Sequence, residues 1–209
     1  RQRLSRLPLW QSLTLECLMS QFPVVIVLAA GRGERFAASG GTVHKLDALL
    51  AGKRVIDHVL DAVRASGLAH HVVRPDAHEI ASAGMGDSIA AGVRATPDAC
   101  GWLILPADLP LIHSDTLRTI ALAPPCGVTV PRYLGQRGHP VRFDAVCRTD
   151  LLNLKGNSGA SPVLRAQEAI NSIAFLDVDD AGVVTDIDTL EALHRAETLL
   201  SERSKPDGG

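Results

Sequence analysis

Aromatic side chains are scarce: two tryptophans, one tyrosine and four phenylalanines make up 3% of 209 residues. The core must therefore come mainly from Ala, Val, Leu and Ile, a composition that suits helices packed on a parallel sheet. Positive charge is not in excess either. Lys and Arg number 21 against 23 Asp and Glu, a formal net charge of −2, so nothing attracts the chain generally to nucleic acid. No apolar run reaches the length of a membrane span, and a soluble, cytoplasmic protein handling a small molecule is expected. The four cysteines, Cys17, Cys100, Cys126 and Cys147, form neither a C-x-x-C nor a Cys/His zinc pattern. They read as reduced thiols with no catalytic role.

With 46% hydrophobic residues the chain is long enough for one substantial core, and no internal repeat or low-complexity boundary divides it. Residues 1–21 carry three arginines and lack a signal-peptide apolar region; they are expected to be a flexible appendage, with Met19 a candidate translation start. Residues 22–200 form the expected domain. The polar segment 201–209 reads as a disordered tail.

The strongest local signal is VVIVLAAGRGERF, Val24 to Phe36, where an unalternating β-branched run ends in a glycine turn carrying Arg32 and Arg35. Such a run predicts a parallel strand covered on both faces, and ligands bind beyond the ends of such strands. Gly31 and Gly33 allow positive φ and close approach of backbone N–H groups to phosphate oxygens. Arg32, Arg35 and Lys45 add charge suited to a polyphosphate. A Walker A loop does not fit, for no Lys-Ser/Thr pair follows, and a dinucleotide fingerprint fails because Phe36 holds its third glycine position. A plain turn closing a buried strand stays open as the alternative.

Further along, Val55, Ile56, Val59, Leu60 and Val63 recur at helical spacing within 53–66, and Gly67 stops that helix. HHVV reads as a short strand whose His70 and His71 are structural or solvated. GMGDSIAAGVRA predicts a close-packing helix, capped by Asp87 or Ser88, whose N-terminus could face a nucleotide. WLILPADLPLI is a buried strand followed by Asp108, a candidate Mg²⁺ ligand, with turn stabilisation as the alternative. GVTVPRY is another strand, and the corners of GQRGHPVRF shape either a pocket or a hairpin. KGNSGASPVLRAQEA leads into a helix with Ser161 as N-cap and Pro162 first. In TDID, Asp186 and Asp188 share one side; they ligate a metal together, or one caps the terminal helix.

LAAGRGERF with Lys45, GMGDSIAAGV, LPADLP, GQRGHPVRF, GNSGA and TDIDTLEAL together resemble, in order, the nucleotidyltransferases related to molybdenum cofactor cytidylyltransferase, over about residues 23–198. LAAG, PADLP and GHPV look more like the cytidylyl branch than the guanylyl one. The resemblance implies a single Rossmann-like α/β domain, a three-layer sandwich on a mostly parallel sheet. It further implies Mg²⁺-dependent transfer of CMP from CTP to the phosphate of molybdenum cofactor, with pyrophosphate released and the product delivered to a molybdenum enzyme. By resemblance Arg35, Lys45 and Asp108 are catalytic. Leu28, Ala29, Ala30, Gly31, Arg32, Gly33, Gly84, Met85, Asp87, Ser88, Pro106 and Ala107 bind nucleotide. Gly138, His139, Pro140 and Asn157 border the acceptor, and Asp108, Asp188 and Asp186 hold the metal. The chain departs from the family pattern in its long segment between Arg35 and Lys45, in its shortened region after HHVVRPD, and in Asn157 and Ser161. Two alternatives stand beside it: a sugar or polyol phosphate acceptor, and a nucleotide-binding maturation factor without turnover.

Overall fold

The computed structural model describes residues 22–74 and 84–203. The expected appendage, with Cys17 and Met19, and residues 204–209 lie outside them. The chain runs β1 (Val24–Leu28), α1 (Glu34–Ala38), β2 (Leu49–Leu50), β3 (Lys53–Arg54), α2 (Val55–Ser66) and β4 (His70–Val73). It continues through α3 (Met85–Ala95), β5 (Gly101–Pro106), α4 (Ser114–Leu122), β6 (Val128–Tyr133), β7 (Gln136–Arg137) and β8 (Val141–Asp144). Then follow α5 (Arg148–Leu152), α6 (Ser161–Ala169), β9 (Ile173–Asp177) and α7 (Leu190–Arg203).

β1 sits centrally and pairs in parallel with both β4 and β5. β8 joins β5 and β6 antiparallel, and β9 extends β6 in parallel, so the sheet is mixed but mostly parallel. Alternation along the central strands divides the core. Val25, Val27, Leu103 and Leu105 pack with Val59 and Val63 of α2, Leu117 of α4 and Ala196 of α7 on one face. Ile26, Trp102 and Ile104 pack with Ile89 and Val93 of α3, Leu151 of α5 and Val163 of α6 on the other. Helices thus cover both sides of a single domain, as expected. Aliphatic residues dominate the core; Trp102, Phe36 and Phe143 are its buried aromatics. Gly92 lets α3 lie close on the sheet, since a Cβ there would come within 2.6 Å of Ile26 Cγ2.

Several boundaries differ from the sequence reading. α2 begins at Val55 because Lys53 and Arg54 pair with Leu50 and Leu49 in a two-stranded ribbon. α6 is capped at Ala160, placing Ser161 in the first position and Pro162 in the second. α7 continues to Arg203, where the tail was expected from 201, because the Arg203 guanidinium donates to Leu111 O at 2.8 Å and pairs with Asp180. Asp180 is almost fully buried and also accepts from His113 N, Thr116 Oγ1 and Gly182 N, which ties α4 to the turn before α7.

Candidate active site

The C-terminal ends of β1 and β5 open into one cleft of about 620 Å³. Ala107 N donates to Leu28 O at 3.1 Å, holding the two strand exits side by side. The turn after β1 forms one rim. Gly33 caps α1 with φ 67°, a left-handed conformation that favours glycine. Gly31 has no positive φ, contrary to expectation, and a Cβ on it would meet nothing within 4 Å. Its bare Cα therefore leaves open space rather than permitting a special backbone angle.

Lys45 reaches the centre of the site. Its Nζ lies 2.5 Å from Asp108 Oδ2 and 2.6 Å from Asp188 Oδ1, and all three side chains are at most 18% exposed. Asp108 follows β5 directly. Asp188 arrives from the far end of the chain because Ile187 N donates to Asp108 O at 2.9 Å. Thr189 supplies the cap of α7, its Oγ1 accepting from Ala192 N, and Asp188 is left to face the cleft. Arg35 NH1 lies 2.7 Å from Asp188 Oδ2 with its side chain 80% exposed, so this pair contributes little stability and the guanidinium remains available to a ligand.

The charges act on one another. Burial alone would lower the Lys45 pKa, but Asp108 and Asp188 outweigh it and the value rises. Burial likewise opposes ionisation of Asp188, yet Lys45 and Arg35 bring its pKa below the usual carboxylate value. Asp186 does not line the cleft but lies against Asp188; partial desolvation, the nearby charges of Asp188 and Asp108 and the contact with the Asp188 carboxyl raise its pKa. Of the two TDID carboxylates, only Asp188 meets Lys45.

The opposite rim is the start of α3. The helix is capped by Gly84, not by Asp87 or Ser88 as expected. Asp87 Oδ2 accepts from Gly84 N at 2.8 Å and from Gly156 N at 2.9 Å, bonds that hold its pKa down. Asp87 thus fastens the Asn157 loop to α3 and does not itself line the cleft. Gly84 must lack a Cβ, which would stand 2.2 Å from Gly156 C and O. Gly84→Ala is expected to destabilise the protein by about 1–3 kcal/mol, whereas Gly31→Ala stays within about 0.5 kcal/mol. Urea unfolding of both variants checks the contrast, and equal midpoints would contradict it.

Leu28, Ala30, Gly31, Arg32, Gly33, Arg35, Lys45, Gly84, Met85, Ser88, Pro106, Ala107, Asp108, Asn157 and Asp188 all line the cleft. Ala29 is buried beneath it, its N–H bonded to Val73 O. Gly138, His139 and Pro140 do not line it; His139 N donates to Val183 O, which anchors this corner beside the turn before α7. The His139 ring is reachable by solvent, yet desolvation by the surrounding chain lowers its pKa against the opposing effects of Asp108 and the Ile104 carbonyl. Glu34 and Leu46 line the cleft unforeseen, as neighbours of Arg35 and Lys45.

His44 was also missed. Its Nε2 lies 2.8 Å from Gly31 O, and Leu46 N donates to its Nδ1 at 3.3 Å. Its position next to Lys45 was the available signal.

Asp108 Oδ1 is buried with no hydrogen-bond partner, an oxygen suited to a cation. Among the described residues no group of three or more His, Cys, Asp or Glu is placed to hold a metal. Two carboxylates plus substrate phosphates and water are what Mg²⁺ commonly takes.

A family model described as a MobA-like NTP transferase domain matches residues 25–170. The purine catabolism protein PucB of Bacillus subtilis is 29% identical over 206 residues, covering 88% of this chain and all of that one. A nucleotidyl transferase from Methanothermobacter thermautotroptrophicus superposes with a TM-score of 0.72 at 22% identity, covering 88% of this chain and 99% of its own. A manganese complex of Rv0371c from Mycobacterium tuberculosis gives 0.62 at 21% identity, covering 85% and 98%. Molybdopterin-guanine dinucleotide biosynthesis protein A from Archaeoglobus fulgidus gives 0.55 at 17% identity, covering 86% and 99%. No described helix is long and apolar enough to cross a membrane.

Proposed function

The chain belongs to the MobA-like NTP transferase family, and from that premise we propose that it transfers CMP from CTP to the phosphate of molybdenum cofactor, releasing pyrophosphate. The observation that carries nucleotidyl transfer is the meeting of Lys45, Asp108 and Asp188, 143 residues apart at the extremes, beside the glycine turn. Choice of cytosine and of a molybdopterin acceptor rests on the ordered LAAG, PADLP and GHPV motifs, and the solved Archaeoglobus fulgidus protein lends support to the acceptor.

In this reading the Gly31–Gly33 turn offers backbone donors to the triphosphate, and Arg35 and Lys45 turn their charges to it. Gly84, Met85 and Ser88 border the base and ribose, and Asn157 the acceptor. Asp108 and Asp188 would hold Mg²⁺; the related manganese complex supports a divalent ion. When bound, the ion would neutralise phosphate charge and stabilise leaving pyrophosphate. The acceptor phosphate is already a capable nucleophile, so the protein's task is in-line positioning and charge neutralisation. No side chain need attack. The setting proposed is the cytoplasm, and the product's recipient a molybdenum enzyme.

Pyrophosphate release should be measured with Mg²⁺, each nucleoside triphosphate, and acceptors including molybdenum cofactor and several sugar and polyol phosphates. Turnover is expected with CTP and the pterin. Turnover on a sugar phosphate alone would reassign the acceptor, and tight nucleotide binding with no turnover would leave a maturation factor.

A further inference from the structure

We propose that His44 is a positioning residue that fixes the distance and orientation between the glycine turn and Lys45, so that both engage one triphosphate. The proposal rests on the nucleotidyltransferase reading above. Phe36 closes α1's buried side, and eight residues then pass, including Gly40 and Gly41, before Lys45. A segment of that composition would not set the lysine's register by itself. His44 does so through three attachments.

Leu46 N–H donates to Nδ1, so Nδ1 carries no proton in this arrangement and Nε2–H donates to Gly31 O. The two bonds hold the ring in one orientation. The His44 carbonyl accepts from Asp47 N and Ala48 N at 2.8 and 3.1 Å, closing the turn that carries Lys45. The bond to Gly31 matters for a phosphate ligand. A free carbonyl oxygen in this turn would repel an anion if it rotated toward the cleft. With Gly31 O held by the ring, the following Arg32 N–H points the opposite way across a trans peptide.

Gly33 is the matching partner. A Cβ there would contact His44 Cδ2 and Nε2, both at 3.4 Å, and Lys45 Cγ at 3.5 Å. The left-handed glycine thus brings the turn within reach of the ring while leaving it room. Glycine turn, imidazole and lysine form one assembly, although the ring lies outside the set of side chains lining the cleft.

The test compares wild type with His44→Leu and His44→Gln. Calorimetry would measure binding of CMP and of a non-hydrolysable CTP analogue, alongside thermal melting and steady-state kinetics. His44→Leu should weaken the triphosphate analogue about tenfold, raise KM for the nucleotide more than it lowers kcat, and change CMP affinity no more than about twofold. His44→Gln retains an amide donor for Gly31 and should recover part of the loss. Equal weakening of CMP and triphosphate with a lowered melting point, or unchanged triphosphate affinity, would overturn the proposal. Wild type that binds no nucleoside triphosphate would overturn the functional reading as well, and this outcome is seen before any variant is compared.

Discussion

Asp108→Asn is expected to reduce metal-dependent pyrophosphate release about a thousandfold while leaving the fold intact. Asparagine keeps the side chain's size, so the exit of β5 and the backbone bond from Ile187 N to Asp108 O can persist. What disappears is the negative charge that faces Lys45 at 2.5 Å, together with an unpartnered buried oxygen suited to a cation. The amide also leaves Lys45 biased towards Asp188. Circular dichroism should give a melting point near wild type, and a rate close to wild type would remove Asp108 from the mechanism.

Lys45→Met should act in two opposed directions. Affinity for a triphosphate analogue is expected to fall about a hundredfold, because a charged hydrogen-bond donor to phosphate is lost. Mn²⁺ titrated without nucleotide should bind more tightly than to wild type, because the ammonium no longer stands between Asp108 and Asp188. Weaker Mn²⁺ binding in the variant would show that Lys45 assists the ion and does not compete with it.

The same substitution has a stability signature. Lys45 has a raised pKa in the folded chain, so its contribution is fully present below its ordinary value of 10.5 and disappears only as pH rises through the elevated one. Asp188 has a depressed pKa, so its contribution is present above the ordinary 3.8 and is lost as pH falls through the lowered value. Removing Lys45 should therefore cost about 2 kcal/mol at neutral pH, with Arg35 still compensating part of the charge. Urea unfolding should show that deficit shrinking in acid, as the carboxylates protonate in both proteins. A deficit independent of pH would point to lost packing of the lysine stem instead.

The central strands and α2 were legible because burial on both faces writes an unmistakable apolar run, and burial on one face writes helical spacing. β1, β5 and α2 follow from Val24–Leu28, the WLILP segment and the Val55–Val63 stripe. Asp108 was legible for the complementary reason: a carboxylate directly after a buried strand is poorly explained by packing. The cap of α3 was misplaced because Asp87 acts from the third helical position, accepting from Gly84 N, and its further bond to Gly156, 69 residues away, has no local pattern. Which of Asp186 and Asp188 meets Lys45 was equally hidden, since it depends on Ile187 meeting Asp108. Gly31 and Gly33 looked alike as letters, but one adopts a left-handed angle and the other leaves empty space. His44 was overlooked because its neighbours in sequence suggested only a loop.

The terminal helix carries a consequence for how the site comes into being. Asp188 lies beyond the segment matched by the family model, which stops at 170, and its companion Lys45 is among the first residues of the domain. During synthesis, strands β1 and β5 can pair and the glycine turn can close long before Asp188 leaves the ribosome. Until then Lys45 has one carboxylate partner, not two. Arg203, bonded to Leu111 and Asp180, then fastens the end of the last helix to the earlier part of the domain. A nascent or truncated chain can thus possess much of the sheet yet lack the complete Lys45, Asp108 and Asp188 cluster on which the proposed transfer rests.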